Sequence, residues 1–91
     1  MTPSDKLNLI TQLMNELADY EHDRWSRWQN HLFSLCIENE NGSMTIPKQY
    51  VDRWKRQAST DYDGLTNKEK ESDLHEAAAI FKIIKDYDIY G

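Results

Sequence analysis

The longest hydrophobic pattern in the chain occupies its first 35 residues. Apolar side chains recur there at intervals of three and four residues, the spacing that brings them to one face of a helix. They are Leu7, Ile10, Leu13, Met14 and Leu17, followed by Ala18, Trp25, Trp28, Leu32 and Leu35. Ahead of them, Thr2-Pro3-Ser4-Asp5 is typical of a helix start, with a hydroxyl cap, an early proline and an acid in the first turn.

The length of this first helical segment leaves two alternatives. No glycine or proline interrupts residues 4–38, so the segment is either one helix of about 35 residues or two helices with a break between them. Because so long a helix is unusual in a small domain, we expect a bend near Asp19-Tyr20.

A loop and a short hairpin follow. In "ENENGS", residues 38–43, the pair Asn41-Gly42 tolerates positive φ and favours a tight turn. The apolar stretch "MTI" after it can pair with residues near Cys36-Ile37. We therefore expect at most a short β-hairpin within residues 36–46.

Two more helices are predicted in the second half of the chain. Pro47 opens one, which carries Trp54 among its apolar residues, and residues 59–65 form another loop. Thr66-Asn67-Lys68-Glu69 is a capping box that starts the last helix, which we expect to end near Tyr87 and to leave a short tail. Its apolar face consists of Leu74, Ala77, Ala78, Phe81 and Ile84. Residues 1–91 thus read as a single mainly α domain, a bundle of three to four helices with a short hairpin.

Composition limits how such a domain is stabilised. The chain has 91 residues, and Cys36 is its only cysteine, so no disulfide within the chain is available. Three tryptophans, five tyrosines and two phenylalanines can bury large areas, and self-association is a further aid, which makes a homo-oligomer one expected state. There is no apolar run of about 20 residues and no signal-peptide pattern. We expect a cytoplasmic protein that does not contact membranes.

Charge is unevenly distributed along the chain. The formal net charge is −5, but residues 23–57 hold six basic and four acidic groups, a local excess of two positive charges. Since phosphate neutralisation dominates affinity for DNA, an acidic chain is not expected to bind DNA directly. A mildly basic middle on an acidic body can still hold one small anion.

Catalytic and metal-binding signatures are missing from the sequence. His22 and His31 lie nine residues apart, about 900° around a helix and thus on opposite sides. No Cys-x-x-Cys or His-Glu-x-x-His spacing occurs, Cys36 has no evident partner base, and the three glycines are isolated. These absences favour a protein that is not an enzyme and that needs no metal or cofactor.

Aromatic and basic residues concentrate in "YEHDRWSRWQ", residues 20–29. On a helix His22, Trp25 and Trp28 form one stripe with Arg24 and Arg27 on its flanks. The interpretation we favour packs this stripe into the core, with arginine stems over the rings. The alternative is an aromatic wall for a planar base with guanidinium groups for phosphate. The candidate ligand-binding residues are His22, Arg24, Trp25, Arg27, Trp28, Arg53, Trp54, Tyr62 and Asp73.

Several of these motifs resemble a known family. His22-Asp23-Arg24-Trp25 resembles the His-Glu-x-x-Trp element of the ryanodine-receptor (RyR) repeat domain, and "YDGLTNKEKESD", residues 62–73, resembles that family's aromatic, leucine and Lys-Glu-x-Asp sequence before a helix. Small phage and prophage proteins show a similar order over roughly residues 20–85. Here it comprises His22, Trp25, Trp28, Asn41-Gly42, Ile46-Pro47, residues 54–57, Tyr62, Leu65 and residues 70–73. One departure is "LFSLCIENENG", where the family has Gly-Trp and Tyr-Gly pairs.

The resemblance implies a small helical binding module that binds a nucleotide. We therefore expect a phage- or prophage-type accessory protein that sequesters a nucleotide-like ligand or blocks a host defence factor. The alternative is an acidic interaction or decoy module whose partner is a basic host protein. Within this frame Glu69 and Asp73 are expected to pair with Arg24 or His22 and so join the two ends of the motif.

Overall fold

The computed structural model describes residues 2–87, which form three α-helices and one two-stranded antiparallel hairpin. The first helix, α1, spans Pro3–Leu35. Strands β1 (Ile37–Glu38) and β2 (Met44–Thr45) follow, then α2 (Lys48–Ala58), a 3-10 turn (Tyr62–Gly64) and α3 (Asn67–Lys85). This architecture confirms the predicted mainly α fold and the hairpin within residues 36–46. The tail expected after Tyr87 lies outside the described residues.

α1 is one uninterrupted helix of 33 residues, so the alternative of two helices with a break near Asp19-Tyr20 is wrong. Its start is as predicted: the Thr2 hydroxyl accepts from the amide of Asp5, and the Asp5 carboxylate accepts from the amide of Thr2. No proline or glycine weakens the middle of the helix. In addition Tyr20 and Arg27, two turns apart on one side, both bind Glu76 of α3. By binding both residues, Glu76 stabilises the segment of α1 in which a break was expected.

The hairpin reverses the direction of the chain between α1 and α2. Ile37 pairs with Thr45 and Glu38 with Met44. Gly42 has a φ of +85°, a conformation that costs glycine little, and its amide donates to the carbonyl of Asn39. The predicted Asn41-Gly42 turn is therefore present. It returns the chain so that α2 begins directly after Pro47.

The start of α3 is fixed by two sets of contacts. The capping box predicted from sequence is present, with the Thr66 hydroxyl accepting from the Glu69 amide at 3.2 Å and the Glu69 carboxylate accepting from the Thr66 amide at 3.0 Å. The second Glu69 oxygen accepts from Arg56 Nη2 at 2.7 Å. Because Arg56 lies in the last turn of α2, this carboxylate joins the end of α2 to the beginning of α3.

α3 runs antiparallel along α1. Arg27 Nη1 lies 2.8 Å from Glu76 Oε1, and two residues past the end of α3 the hydroxyl of Tyr87 donates to Glu16 Oε2 at 2.5 Å. As the residue number rises in α3, that of its partner in α1 falls. These polar contacts join the two helices along one side.

Little apolar surface is buried among residues 2–87. Leu13 is the one hydrophobic side chain in that range that falls into the buried class. Trp25 and Trp28 keep 57% and 44% of their surface exposed, and His22 is exposed too, so the predicted inward stripe is wrong. The reason is that α2 has only eleven residues and meets this stripe through Trp54, which is half-buried.

Candidate binding cleft

An open cleft of about 860 Å³ lies between the second half of α1, the end of α2 and the beginning of α3. The hairpin and the ion pair between Arg56 and Glu69 place these three segments around it. Its lining residues are Glu21, Arg24, Trp25, Arg27, Trp28, His31, Trp54, Gln57, Ala58, Thr60, Tyr62, Leu65, Ser72, Asp73 and Glu76. This volume is within the range of small-molecule sites.

Aromatic rings form one wall of the cleft. Trp28 meets Trp54 edge to face, with ring centroids 5.4 Å apart and planes at 70°. Trp54 in turn stacks on Tyr50, and Trp28 lies 5.8 Å from the ring of His31. These contacts hold the Trp28 ring in place while a large part of it faces solvent. Such a fixed and accessible ring is a stacking platform.

The guanidinium group of Arg27 is held by hydrogen bonds within the chain. It donates two hydrogen bonds to Glu76, at 2.8 and 3.2 Å, and a third to Asp23 at 2.9 Å. The hydrogen bond from Arg27, supported by one from Tyr20, lowers the pKa of Glu76 to about 2. The same Glu76 carboxylate raises the pKa of Arg27 and that of Tyr20. This cluster joins α1 to α3, so Arg27 is not the guanidinium that a ligand would engage.

Arg24 is the other guanidinium of the cleft, and it is less constrained. Its Nη1 atom lies 3.8 Å from Glu21 Oε2, beyond hydrogen-bond distance, and nearly half of its side chain is exposed. Long exposed pairs of this kind contribute little energy. Arg24 can therefore turn toward an anion in the cleft at small cost.

The overall charge of the cleft restricts the ligand. Two arginines face Glu21, Asp73 and Glu76, which gives a formal charge of −1 with His31 neutral. Arg27 and Glu76 neutralise each other. A single anionic group beside Arg24 is compatible with this balance, whereas a polyphosphate would meet unpaired carboxylates.

Seven of the nine candidate residues identified from sequence line this cleft: Arg24, Trp25, Arg27, Trp28, Trp54, Tyr62 and Asp73. The other two do not. His22 lines a separate depression of about 400 Å³ together with Tyr20 and Ile83, and its ring lies near that of Trp25 at 6.1 Å. Arg53 is an exposed residue of α2 outside the cleft lining.

The expected pairing of Glu69 and Asp73 with Arg24 or His22 is wrong for Glu69, whose partner is Arg56. Across α1 and α3 the ion pair is Arg27 with Glu76, a residue that the sequence analysis gave no such role. A signal for it was present: Glu76 follows Glu69 by seven residues, which returns to the same side of the helix after two turns. Gln57, Thr60, Leu65 and Ser72 were also missed as lining residues, because polar helix positions and single loop residues give no periodic signal.

No group of three or more metal-ligating side chains is found among residues 2–87. Within the same part of the chain no helix is long and apolar enough to cross a membrane. Comparison with protein-family models, with curated proteins and with solved structures gives no match. The likeness to RyR repeats therefore rests on the sequence motifs alone.

Proposed function

We propose that this protein is a non-enzymatic binding module whose cleft takes a nucleoside or a nucleoside monophosphate. One observation supports the proposal: exposed tryptophan rings, Arg24 and Asp73 line the same open cleft. These groups come from α1 and α3, with Trp54 of α2 packed against Trp28, so the fold and not a local motif brings them together.

Stacking supplies the main attraction. An aromatic side chain that stacks on a base contributes about 1–3 kcal/mol, and every base offers a flat face. Trp28 is supported by Trp54, and Trp25 stands beside it with more than half of its surface exposed. The ring of Tyr62, also exposed, lines the same cleft.

Polar groups of the cleft would orient the ligand. Arg24 can donate to one phosphate, and the carboxylate of Asp73 can accept from ribose hydroxyls or a base amino group. Because the remaining charges are balanced or negative, di- and triphosphates are disfavoured. A phage-type role in sequestering a nucleotide signal or blocking a host defence factor extends this proposal and is supported by the sequence likeness.

Isothermal titration with adenosine, AMP and ATP tests the proposal. We expect AMP to bind best and ATP to bind more weakly than AMP, since Arg24 offers one phosphate contact. Trp25→Ala should weaken AMP binding about tenfold, the loss of roughly one stacking contact. Its matched control is Phe33→Ala, because Phe33 is also half exposed on α1 but lies outside the cleft.

A second pair of variants separates charge from stacking. Arg24→Gln should weaken AMP while leaving adenosine unchanged, and Arg53→Gln, an arginine outside the cleft, should change neither. Absence of heat with all three ligands at about 100 μM protein or more would remove affinities tighter than about −5 kcal/mol and contradict the proposal.

A second candidate function is the binding of a basic host protein by the acidic surface. Asp61 and Asp63 flank the exposed Tyr62, and Glu71 is exposed on α3, so these carboxylates face solvent. Glu69 and Glu76 instead form ion pairs within the chain, which leaves fewer acids for a decoy than the sequence suggests. Capture of a host protein that is retained unchanged at high salt would contradict this electrostatic alternative.

A further inference from the structure

Three carboxylates follow one another along one side of α3, and the middle one has no cation as its partner. Glu69, Asp73 and Glu76 are spaced by four and three residues, the spacing of neighbours on a helix surface. Glu69 binds Arg56 of α2, and Glu76 binds Arg27 of α1. Asp73 is exposed and lines the cleft, and within the part of the chain that the structure describes it forms no ion pair. Its two oxygens therefore remain open to a ligand.

The charged groups of the cleft differ in what they offer a ligand. Arg27 and Glu76 bind each other, and Glu21 Oε2 lies 3.8 Å from Nη1 of Arg24, the arginine that we assign to the phosphate. Asp73 is thus the carboxylate of the cleft lining that is left for the rest of the ligand. An ionised carboxylate accepts through both oxygens and donates through neither, so it selects a group that presents N–H or O–H donors.

Guanine is the base whose edge matches an unpaired carboxylate. Its ring N–H and its exocyclic amino group are adjacent, parallel donors, which fit the two oxygens of one carboxylate. Adenine and cytosine present one amino group beside a ring nitrogen that accepts, and uracil presents one N–H between two carbonyl oxygens. Each of these bases places an acceptor against the second carboxylate oxygen, where neither group has a proton to share. A base that meets Asp73 with its edge is therefore bound best when it is guanine.

Gln57 offers a donor for the acceptor that adjoins this edge. The carbonyl oxygen of guanine lies next to the ring N–H, so a guanine bound through Asp73 needs a donor beside it. Gln57 is half-buried near the end of α2 and lines the same cleft. It follows Trp54 by three residues and so lies on the same side of α2. The base edge can thus meet polar groups of α3 and α2 while its face stacks on the tryptophan rings.

We propose that the cleft is specific for guanine nucleotides and that Asp73 determines this specificity. The inference rests on the proposed nucleotide binding and adds the identity of the base. It also accounts for a carboxylate that the fold does not use. Glu76 joins α3 to α1 and Glu69 joins α3 to α2, whereas Asp73 forms no ion pair with either helix in the described part of the chain.

Isothermal titration of the full chain with GMP, inosine monophosphate, AMP and UMP tests the proposal. GMP should bind about 30-fold more tightly than AMP or UMP, because a bidentate contact with a base discriminates to this extent. Inosine monophosphate lacks the amino group of GMP but keeps the ring N–H. It should bind about tenfold more weakly than GMP, the loss of one hydrogen bond to a charged group.

The variant Asp73→Asn replaces one carboxylate oxygen by an amide donor. It should weaken GMP about 30-fold without weakening AMP. Xanthosine monophosphate has an oxygen in place of the amino group of GMP, and the variant should bind it more tightly than GMP because the new amide donates to that oxygen. Glu71→Gln, which removes a charge two residues away and outside the cleft, should change none of these affinities. Since Asp73 is exposed, Asp73→Asn should keep the Tm of the wild-type chain, which separates lost recognition from lost folding.

Two outcomes overturn the guanine specificity and leave the proposed nucleotide binding intact. One is an equal affinity of the wild-type chain for GMP and AMP. The other is an equal loss of all four nucleotides in Asp73→Asn, because that pattern marks a contact with the ribose hydroxyls that they share. Absence of heat with every nucleotide contradicts the proposed function itself, and the specificity is overturned with it.

Discussion

The two ends of the α1–α3 pair differ in what covers them. At one end, which we call the α2 end, residues 20–35 of α1 and the start of α3 meet α2. The tryptophan contact between Trp28 and Trp54 and the ion pairs of Glu69 and Glu76 all lie there. At the other, the bare end, residues 3–19 of α1 meet the chain just past the end of α3 through the hydrogen bond of Glu16 and Tyr87, and Leu7 and Met14 stay exposed.

This difference shows that one continuous helix can serve two purposes. The apolar repeat of α1 runs through both ends, yet eleven residues of α2 reach only one of them. At the α2 end the repeat becomes the wall of a cleft. At the bare end two of its apolar side chains, Leu7 and Met14, stay exposed. Mutations at the two ends should therefore have separable effects on stability.

The largest effect on the stability of one chain is expected at Glu76. Glu76→Gln removes the charge that accepts from Tyr20 and Arg27 in a largely buried position. Hydrogen bonds to charged groups of this kind contribute about 1.5–3 kcal/mol, so we expect the free energy of unfolding to fall by about 2 kcal/mol. Urea unfolding followed by circular dichroism measures it. The control Glu71→Gln, an exposed glutamate of the same helix, should change stability by less than about 0.5 kcal/mol.

Acid should destabilise the fold by protonating two carboxylates at the α2 end. Contacts with Arg56 and Arg27 lower the pKa values of Glu69 and Glu76 to about 2, from an ordinary value of 4.5. Since the unfolded chain binds these protons first, their contribution is complete above pH 4.5 and is lost as the pH falls from 4.5 toward 2. The Tm should drop across this window. The double variant Glu69→Gln, Glu76→Gln should show a much smaller drop, and an unchanged pH profile would show that other carboxylates control acid unfolding.

Local features of the fold could be predicted from sequence because neighbouring residues determine them. The hydroxyl of Thr66 and the carboxylate of Glu69 are three residues apart and bind each other's amides, whatever the rest of the chain does. The same holds for Thr2 with Asp5 and for the turn at Gly42. Seven of the nine candidate residues also share the cleft, and helical spacing grouped four of the five α1 candidates correctly, with His22 as the exception.

Features that depend on how the helices meet could not be predicted in this way. Trp25 was expected in the core because its spacing matches an apolar stripe, but spacing does not reveal whether another helix reaches that stripe. The register of α3 on α1, which pairs Arg27 with Glu76, follows from packing over the whole length of both helices.

The two capping boxes allow a direct comparison of the ends. Thr66→Ala and Thr2→Ala remove the same hydroxyl contact, and loss of such a cap costs about 0.5–2 kcal/mol. Thr66 also positions Glu69, which holds Arg56 of α2, whereas the exposed side chains of Thr2 and Asp5 form their hydrogen bonds within the first turn of α1. We expect about 1.5 kcal/mol for Thr66→Ala and about 0.5 kcal/mol for Thr2→Ala in thermal unfolding. Equal losses would show that the α2 contact adds nothing to the cap.

The smallest expected effect distinguishes the two carboxylates that share Arg27. Asp23 lies one turn from Arg27 on α1 and accepts a hydrogen bond at 2.9 Å, but about two thirds of its side chain is exposed. Exposed pairs within one helix contribute little, so Asp23→Asn should lower the Tm by less than about 3 °C. The same measurement on Glu76→Gln should give a clearly larger drop, because Glu76 joins two helices and is mostly shielded from solvent. If both variants lowered the Tm equally, Arg27 would serve mainly to stabilise α1 alone, and the polar joint between α1 and α3 would have to lie nearer the bare end, at Glu16 and Tyr87.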